Sequence, residues 1–425
     1  MMIEKMNPNF QRYWKGLRFQ LPTPIQERVF EPLMEGKDVI GLSPTGTGKT
    51  LAYALPLLQK TQPNGELQLV ILTPSQELGV QVGRVVEEWG GLKDLKVQTI
   101  IGGANTKRQV EKLKEKPEVV VGTPGRLLEL AEQRKLKLHQ LKTVVLDEAD
   151  YLLKDEHLPN LRMLVKKMPG QCQMTFFSAT NSETLSQIDR WFNVDPVVFD
   201  AASEDGIRDQ TVHGYLEVEN RRRAESLRRL GNIKGMQALV FVNSVQELDY
   251  LAEKMTYEGV PVRMLHSDYG PSQRKHALES FRNGEAVFLL TTDVSARGID
   301  IEDLPYVINY DLPLTREVYL HRSGRTGRMG KEGRVVSLVT ERGIREIRKM
   351  VPRSDEFQRW YLYSGDLVSE IPDNMSEKPI KPVKTVKPEV KKAPPKKERT
   401  EAAPVKKIKK KARTRDQKNK GARKK

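Results

Sequence analysis

Five short apolar runs, each closed by small polar or charged residues and followed by a helix-like stretch, constrain the fold more than any other feature. They are DVIGLSPTG, LQLVILTPSQ, EVVVGTPGR, TVVLDEAD and MTFFSAT. A second series repeats the pattern: ALVFVNS, AVFLLTTD, YVINYD and VVSLVT. Runs of four or five β-branched and apolar residues suit strands buried on both faces, as in a parallel sheet. Stretches between them, such as RLLELAEQ and SVQELDYLAEKM, have helical spacing. Strand–helix alternation implies a doubly wound α/β architecture, built once from each series. The polar stretch DAASEDGIRD, residues 200–209, separates the two and predicts one domain over residues 1–203 and a second over 204–365.

From about Asp366 onward, Pro, Lys, Ala and Glu dominate. Such a segment buries too little apolar surface to offset its ordering entropy, so residues 366–425 are expected to be a disordered tail. Residues 371–425 hold 21 of the 72 Lys and Arg but only 6 of the 56 Asp and Glu, leaving 51 cations against 50 acids in the rest. The net charge of +16 therefore belongs to the tail, and points to a nucleic-acid-binding extension of a nearly neutral body. No apolar run approaches the ~18 residues that span a bilayer. Residues 1–10 have no apolar core of a secretory signal, so a cytoplasmic protein without membrane attachment is expected. The one cysteine, Cys172, precedes an apolar run and reads as a small core residue; no Cys/His cluster suggests a structural metal.

Nearly all the unusual residues follow the apolar runs, at the carboxyl ends of the predicted strands, where open α/β sheets bind ligands. Ser43-Pro44-Thr45-Gly46-Thr47-Gly48-Lys49-Thr50 lies between a strand and a helix. A Gly-rich turn opening a helix presents N–H groups and the positive helix end to phosphate. Lys49 suits the β/γ-phosphates and the Thr50 hydroxyl a Mg²⁺. Asp147-Glu148-Ala149-Asp150 follows the strand TVVL; Asp147 suits the magnesium, and Glu148 can polarise an attacking water.

With GTGKT, DEAD, Ser178-Ala179-Thr180 and His321-Arg322-Ser323-Gly324-Arg325-Thr326-Gly327-Arg328 in this order, the chain resembles the DEAD-box RNA helicases over roughly Phe19 to Thr340. The resemblance implies two RecA-like doubly wound parallel-sheet domains in tandem, ATP and Mg²⁺ as cofactors, and RNA as partner. FQLPTPIQ, residues 19–26, resembles the family's adenine-reading motif: Phe19 would stack on the base and Gln26 would pair with its edge. Arg18 stands where the family usually has Gly. Asp300 is implied to meet the nucleotide from the second domain. Arg325 and Arg328 are implied as arginine fingers, His321 as the link to the acidic motif, and Asp150, Ser178 and Thr180 as the coupling between lobe closure and strand separation.

The RNA contacts implied are Pro74-Ser75-Gln76-Glu77-Leu78, Gly102-Gly103 and Thr123-Pro124-Gly125-Arg126 in the first domain, with Arg274 and Thr292 in the second, where Asn243-Ser244 also follows an apolar run. Such contacts go to phosphate and sugar, so little sequence preference is expected. Gln76 replaces the family's Arg, Ser75 its Thr, and Ser295 its Ala. Losing one cationic contact should lower the salt slope of binding by ~0.7, which gives the basic tail a compensating role. His266, in LHSD, reads as structural. The expected activity is RNA-stimulated ATP hydrolysis coupled to local unwinding or remodelling of RNA duplexes and RNA–protein complexes. Ribosome assembly (ribosome biogenesis), RNA turnover and cold adaptation are the implied settings, with ribosomal particles or RNA-degradation machinery as partners. Alternatives are an ATP-gated RNA clamp without productive unwinding, a DNA helicase, and a basic chaperone with a dead ATPase.

Overall fold

The computed structural model describes residues 1–17, 21–44, 46–201, 211–266, 268–296, 301, 304–327, 332–352 and 356–370. Strands β1 (Val39–Leu42), β2 (Leu69–Leu72), β3 (Val97–Ile100), β4 (Val119–Gly122), β5 (Thr143–Asp147), β6 (Gln173–Ser178) and β7 (Val197–Asp200) form one parallel sheet, in the order β3-β4-β2-β5-β6-β1-β7. Alternate residues go to opposite faces, as the pleat requires. Val39, Ile71, Val121, Val145 and Phe177 meet one helical layer with Trp14, Val29, Tyr53 and Val86. Ile40, Val70, Val120, Val144 and Phe176 meet the other, with Leu127, Leu161 and Ile188. Each such side chain contributes ~1.5–3 kcal/mol when fully buried, and Val145→Asp would charge the middle of the sheet. At Gly41 a Cβ would lie 2.5 Å from the Phe177 ring, so only glycine lets β1 and that ring approach.

A second sheet contains β8 (Thr211–Glu217), β9 (Ala238–Phe241), β10 (Val262–Leu265), β11 (Phe288–Thr291), β12 (Tyr306–Asn309), β13 (Gly333–Val339) and β14 (Gln358–Arg359). Its order, β10-β11-β9-β12-β13-β8-β14, is that of the first sheet strand for strand, and helices again cover both faces. These two parallel sheets are the two α/β lobes expected from the sequence. Side-chain caps start helices just beyond strand ends. Ser75 accepts from Leu78 N after β2, and Ser244 accepts from Glu247 N after β9. Two lysines close helix ends. Lys93 Nζ donates to the carbonyls of Leu58, Gln59 and Thr61 at the end of the helix Lys49–Lys60. Lys60 Nζ donates to Leu33 O near the end of the helix Pro24–Glu35.

The tail begins later than composition suggested. Strands β15 (Tyr361–Tyr363) and β16 (Asp366–Val368) form a hairpin, turned at Ser364 and Gly365 with φ of +47° and +81°. Leu367 packs into the second core, so alternating YLY and DLV keep residues 366–370 with the fold. The predicted domain junction at 203/204 lies outside the described residues. Among the described residues, no helix is long and apolar enough to cross a membrane. Cys172 is only partly buried and lines a cleft at the edge of the core.

Candidate nucleotide and RNA site

The Gly-rich turn lies between β1 and the helix Lys49–Lys60, as expected. Gly46 and Gly48 have φ of +85° and +80°, values that favour glycine. Ser43 is buried and its hydroxyl meets that of Thr47. Lys49 Nζ donates to Ser43 O at 2.6 Å and Pro44 O at 2.8 Å. Gln26 packs beneath this turn: its Nε2 donates to Gly48 O at 3.1 Å and its Oε1 accepts from Thr23 N at 3.0 Å. Phe19, Thr45, Asp300 and Arg328 lie outside the described residues.

Asp147 ends β5 and is buried. Its Oδ2 accepts from Tyr53 Oη at 2.8 Å and its Oδ1 from Glu148 N at 3.0 Å. Burial first, then the neighbouring Glu148 charge, push its carboxyl up to about 6. The Thr50 hydroxyl, near the same Tyr53 phenol, works against the rise that burial imposes on that phenol. Thr50 and Tyr53 stand three apart, on one face of the helix. The motif pattern passed over Tyr53, although its spacing from Thr50 was a readable signal. Glu148 adopts a left-handed backbone (φ +50°), and among the described residues its buried Oε2 has no hydrogen-bond partner. Backbone strain of this kind is kept where a site needs it. A buried carboxylate with a raised pKa, beside a second acid and a hydroxyl, fits a divalent cation.

The acidic motif meets the second lobe directly. His321 Nε2 lies 3.3 Å from Asp150 Oδ2. Burial works against the Asp150 charge, yet His321, helped by the Ser178 hydroxyl, holds its carboxyl below the ordinary range. Ser178 Oγ donates to Thr180 O and accepts from Thr180 N. Glu148, His321, Arg322 and Arg325 border a cavity of ≈ 20 Å³ between the lobes, room for one water.

Arg322 holds this edge together, a part the motif order did not assign to it. It is 1% exposed. Its Nε and Nη2 grip Asp293 at 2.6 and 2.7 Å; Nη1 donates to Asn309 Oδ1 and Asp311 O, and Nη2 also to Asn243 Oδ1. All five donors are used, and the guanidinium lies over the Phe241 ring. Asn243 is thereby tied to Arg322 and, through Asn243 N, to Asp311.

After β2 in the first lobe, Ser75 caps a helix, and Gln76 lies with its amide against Gly102 and Gly103. Arg126 grips the same turn through Ile101 O and Ala104 O, and pairs with Glu129. Pro74, Thr123, Pro124 and Gly125 adjoin it at the ends of β2 and β4. Thr292 is buried and bonds Ser295 Oγ. Arg274, expected at the RNA, has partners within the protein. Its Nε is 2.7 Å from Glu77 Oε1 across the cleft, and its Nη atoms donate to His266 O and Ser295 O. His266 is buried, stacks on Tyr269 and caps Asp268 N, a structural placement.

An acidic motif that meets the His and Arg residues of a second α/β lobe, in a first lobe that also carries a Gly-rich turn, is the arrangement of a two-lobed nucleotide-hydrolysing machine. The DEAD/DEAH box helicase model matches residues 23–188, and the helicase conserved C-terminal domain matches residues 222–330. The chain is 44% identical over 356 residues to the probable ATP-dependent RNA helicase YfmL of Bacillus subtilis, covering 84% of this chain and 94% of that one. It is 39% identical to the DEAD-box ATP-dependent RNA helicase CshC of Bacillus cereus, covering 87% and 96%. Among solved structures, S. cerevisiae Dbp5 bound to RNA and ADP BeF3 superposes with a TM-score of 0.75 at 29% identity, covering 83% of this chain and 93% of that one. The chain belongs to the DEAD-box family of ATP-dependent RNA helicases, and is an ATP-hydrolysing enzyme.

Proposed function

We propose that this protein couples RNA-stimulated ATP hydrolysis to local opening of short RNA duplexes, through a catalytic centre split between lobes of residues 1–203 and 204–365. The observation that carries this reading is the meeting of Asp150 with His321, beside the water-sized cavity between Glu148 and Arg325. In this reading Ser43–Thr50 cradle the phosphates and Lys49 pairs with their charge. Thr50 and Asp147 would hold Mg²⁺, whose chemistry there is to neutralise phosphate charge. Glu148 orients and deprotonates the attacking water. Arg325 and Arg328 stabilise the charge that develops on the transferred group, an effect worth ~10³–10⁵ in rate for arginine fingers elsewhere. Gln26 and Phe19 recognise adenine, Asp300 meets the nucleotide from the second lobe, and Ser178 and Thr180 carry closure to the RNA.

RNA lies along Pro74, the Gly102–Gly103 turn, Thr123–Arg126, Arg274 and Thr292. Arg274 serves the same cycle by clasping Glu77 when the lobes are together. Because ATP and RNA both favour the closed pair of lobes, each tightens binding of the other. The basic tail adds salt-sensitive affinity. The setting is cytoplasmic, with ribosome assembly, RNA turnover or cold adaptation as its processes. Displacement of a short duplex with a single-stranded flank tests the proposal. ATP-dependent displacement is expected, whereas RNA-stimulated hydrolysis without displacement would favour a clamp. Hydrolysis by the isolated first lobe at the full rate without RNA would refute the split site.

A further inference from the structure

A second cleft lies at the opposite edge of the first sheet from Ser43–Thr50. It has a volume of ≈ 400 Å³, within the ~300–1,000 Å³ typical of small-molecule sites. Val144, Met168, Met174 and Phe192 give it apolar and polarisable walls. Asp38 and Cys172, which directly precede β1 and β6, stand in it. Asp38 accepts one backbone hydrogen bond, from Met174 N at 2.7 Å. Among the described residues no Lys, Arg or His pairs with it, although it is partly buried. Burial first, and the nearby Asp195 charge, raise the Asp38 carboxyl.

The surrounding backbone adds to this negative potential. Three helices end at the cleft. Pro24–Glu35 is followed by Gly36, Leu158–Val165 by Lys166, and Ile188–Phe192 by Asn193, and all three of these cap residues line it. Each helix end carries partial negative charge within its last turn; that of Pro24–Glu35 is met by Lys60 Nζ on Leu33 O, so the other two ends contribute it. Lys166 is the cation on the rim, and it is exposed to solvent. A cleft with mixed polar and apolar walls, holding a carboxylate that no Lys, Arg or His pairs with among the described residues and two further helix carboxyl ends, disfavours anions.

We propose that this cleft binds an organic cation, a protonated amine carried on an apolar stem, with Asp38 as the charge partner. The amine pairs with the Asp38 oxygen that Met174 leaves open, and the stem lies along Met168 and Phe192. No bond is made or broken. The ligand is either a free amine or the lysine side chain of a peptide, which share this chemistry.

The chain's single cysteine makes occupancy measurable. The Cys172 thiol is pushed up to about 12, first by burial and then by Asp38, so its modification is slow and easily protected. Full-length protein would be treated with methyl methanethiosulfonate at fixed pH, and Cys172 modification followed by intact mass. One arm contains n-hexylammonium chloride, one n-hexanol and one the peptide acetyl-Ala-Lys-Ala-amide. Saturable protection by hexylammonium and not by hexanol is the expected result. Protection by the peptide as well assigns the cleft to a lysine side chain, and protection by hexylammonium alone to a free amine. Asp38→Asn keeps the acceptor for Met174 N and removes the charge, so the half-protecting concentration should rise roughly tenfold. Val194→Trp, a second variant at the cleft, should slow modification without amine and erase the amine effect. Absence of protection by either amine, equal protection by hexanol, or undiminished protection in Asp38→Asn overturns the proposal.

Discussion

Arg322→Met should destabilise the second lobe more than any other single side-chain change at the cleft. Methionine keeps an unbranched stem against Phe241 and removes all five hydrogen bonds of the guanidinium. Asp293 loses two donors, and Asn309, Asn243 and the Asp311 carbonyl lose one each. Removing one partner of a buried ion pair costs ~3–5 kcal/mol. Asp293 is 26% exposed, so water recovers part of its solvation and the lower end, ~3 kcal/mol, applies. For a lobe of this size ~1 kcal/mol moves Tm by ~2–4 °C, and the shift should be ~6–12 °C. Calorimetry of the full chain would show one transition falling by that amount while the first lobe's stays in place. Adding Asp293→Leu should restore part of the loss, because no charge is then left without a partner. Arg322→Lys should not, since an ammonium cannot make the bidentate grip. A shift below ~2 °C for Arg322→Met would refute the claim that this network organises the lobe.

Tyr53→Phe removes only the hydroxyl that donates to Asp147, near Thr50. It should raise the Mg²⁺ concentration needed for half-maximal ATPase by roughly tenfold, as other losses of a ligand's hydrogen-bond partner do; an unchanged requirement would deny Tyr53 a positioning role. Glu148→Gln should abolish RNA-stimulated hydrolysis while Arg325→Ala spares ATP binding and lowers turnover ~10³-fold or more, measured by nucleotide binding beside phosphate release. Gln76→Arg should steepen the dependence of RNA affinity on salt by ~0.7 in slope, since the side chain already lies on the Gly102–Gly103 turn. Deleting residues 371–425 removes 21 cationic residues and should weaken RNA binding most at moderate salt.

The central strands were legible in the sequence because burial on both faces leaves unbroken apolar runs such as LVIL and TVVLD. The Gly-rich turn and the DEAD sequence stood out because each directly follows such a run, at the carboxyl end of a parallel strand. Contacts between distant segments were not. Nothing local to Glu77 announces Arg274, and nothing local to Arg322 announces Asp293 and Asn243 together. The N-terminal helices also escaped notice. Phe10 and Trp14 are apolar residues in a short polar stretch, and their burial depends on Trp89, far along the chain. Edge strands β7 and β14 carry exposed residues, so neither gives the signal of a buried strand.

The carbonyls of Ser43 and Pro44 act as a placeholder for the anion that Lys49 is expected to meet. An incoming phosphate must win the ammonium from these oxygens, so the attraction it gains is a difference between two sets of contacts and not the full charge–charge energy. When phosphate departs, the same oxygens are waiting. In the proposed cycle, such a loop would hold nucleotide less tightly than its charge suggests and would let product go without stranding a bare cation.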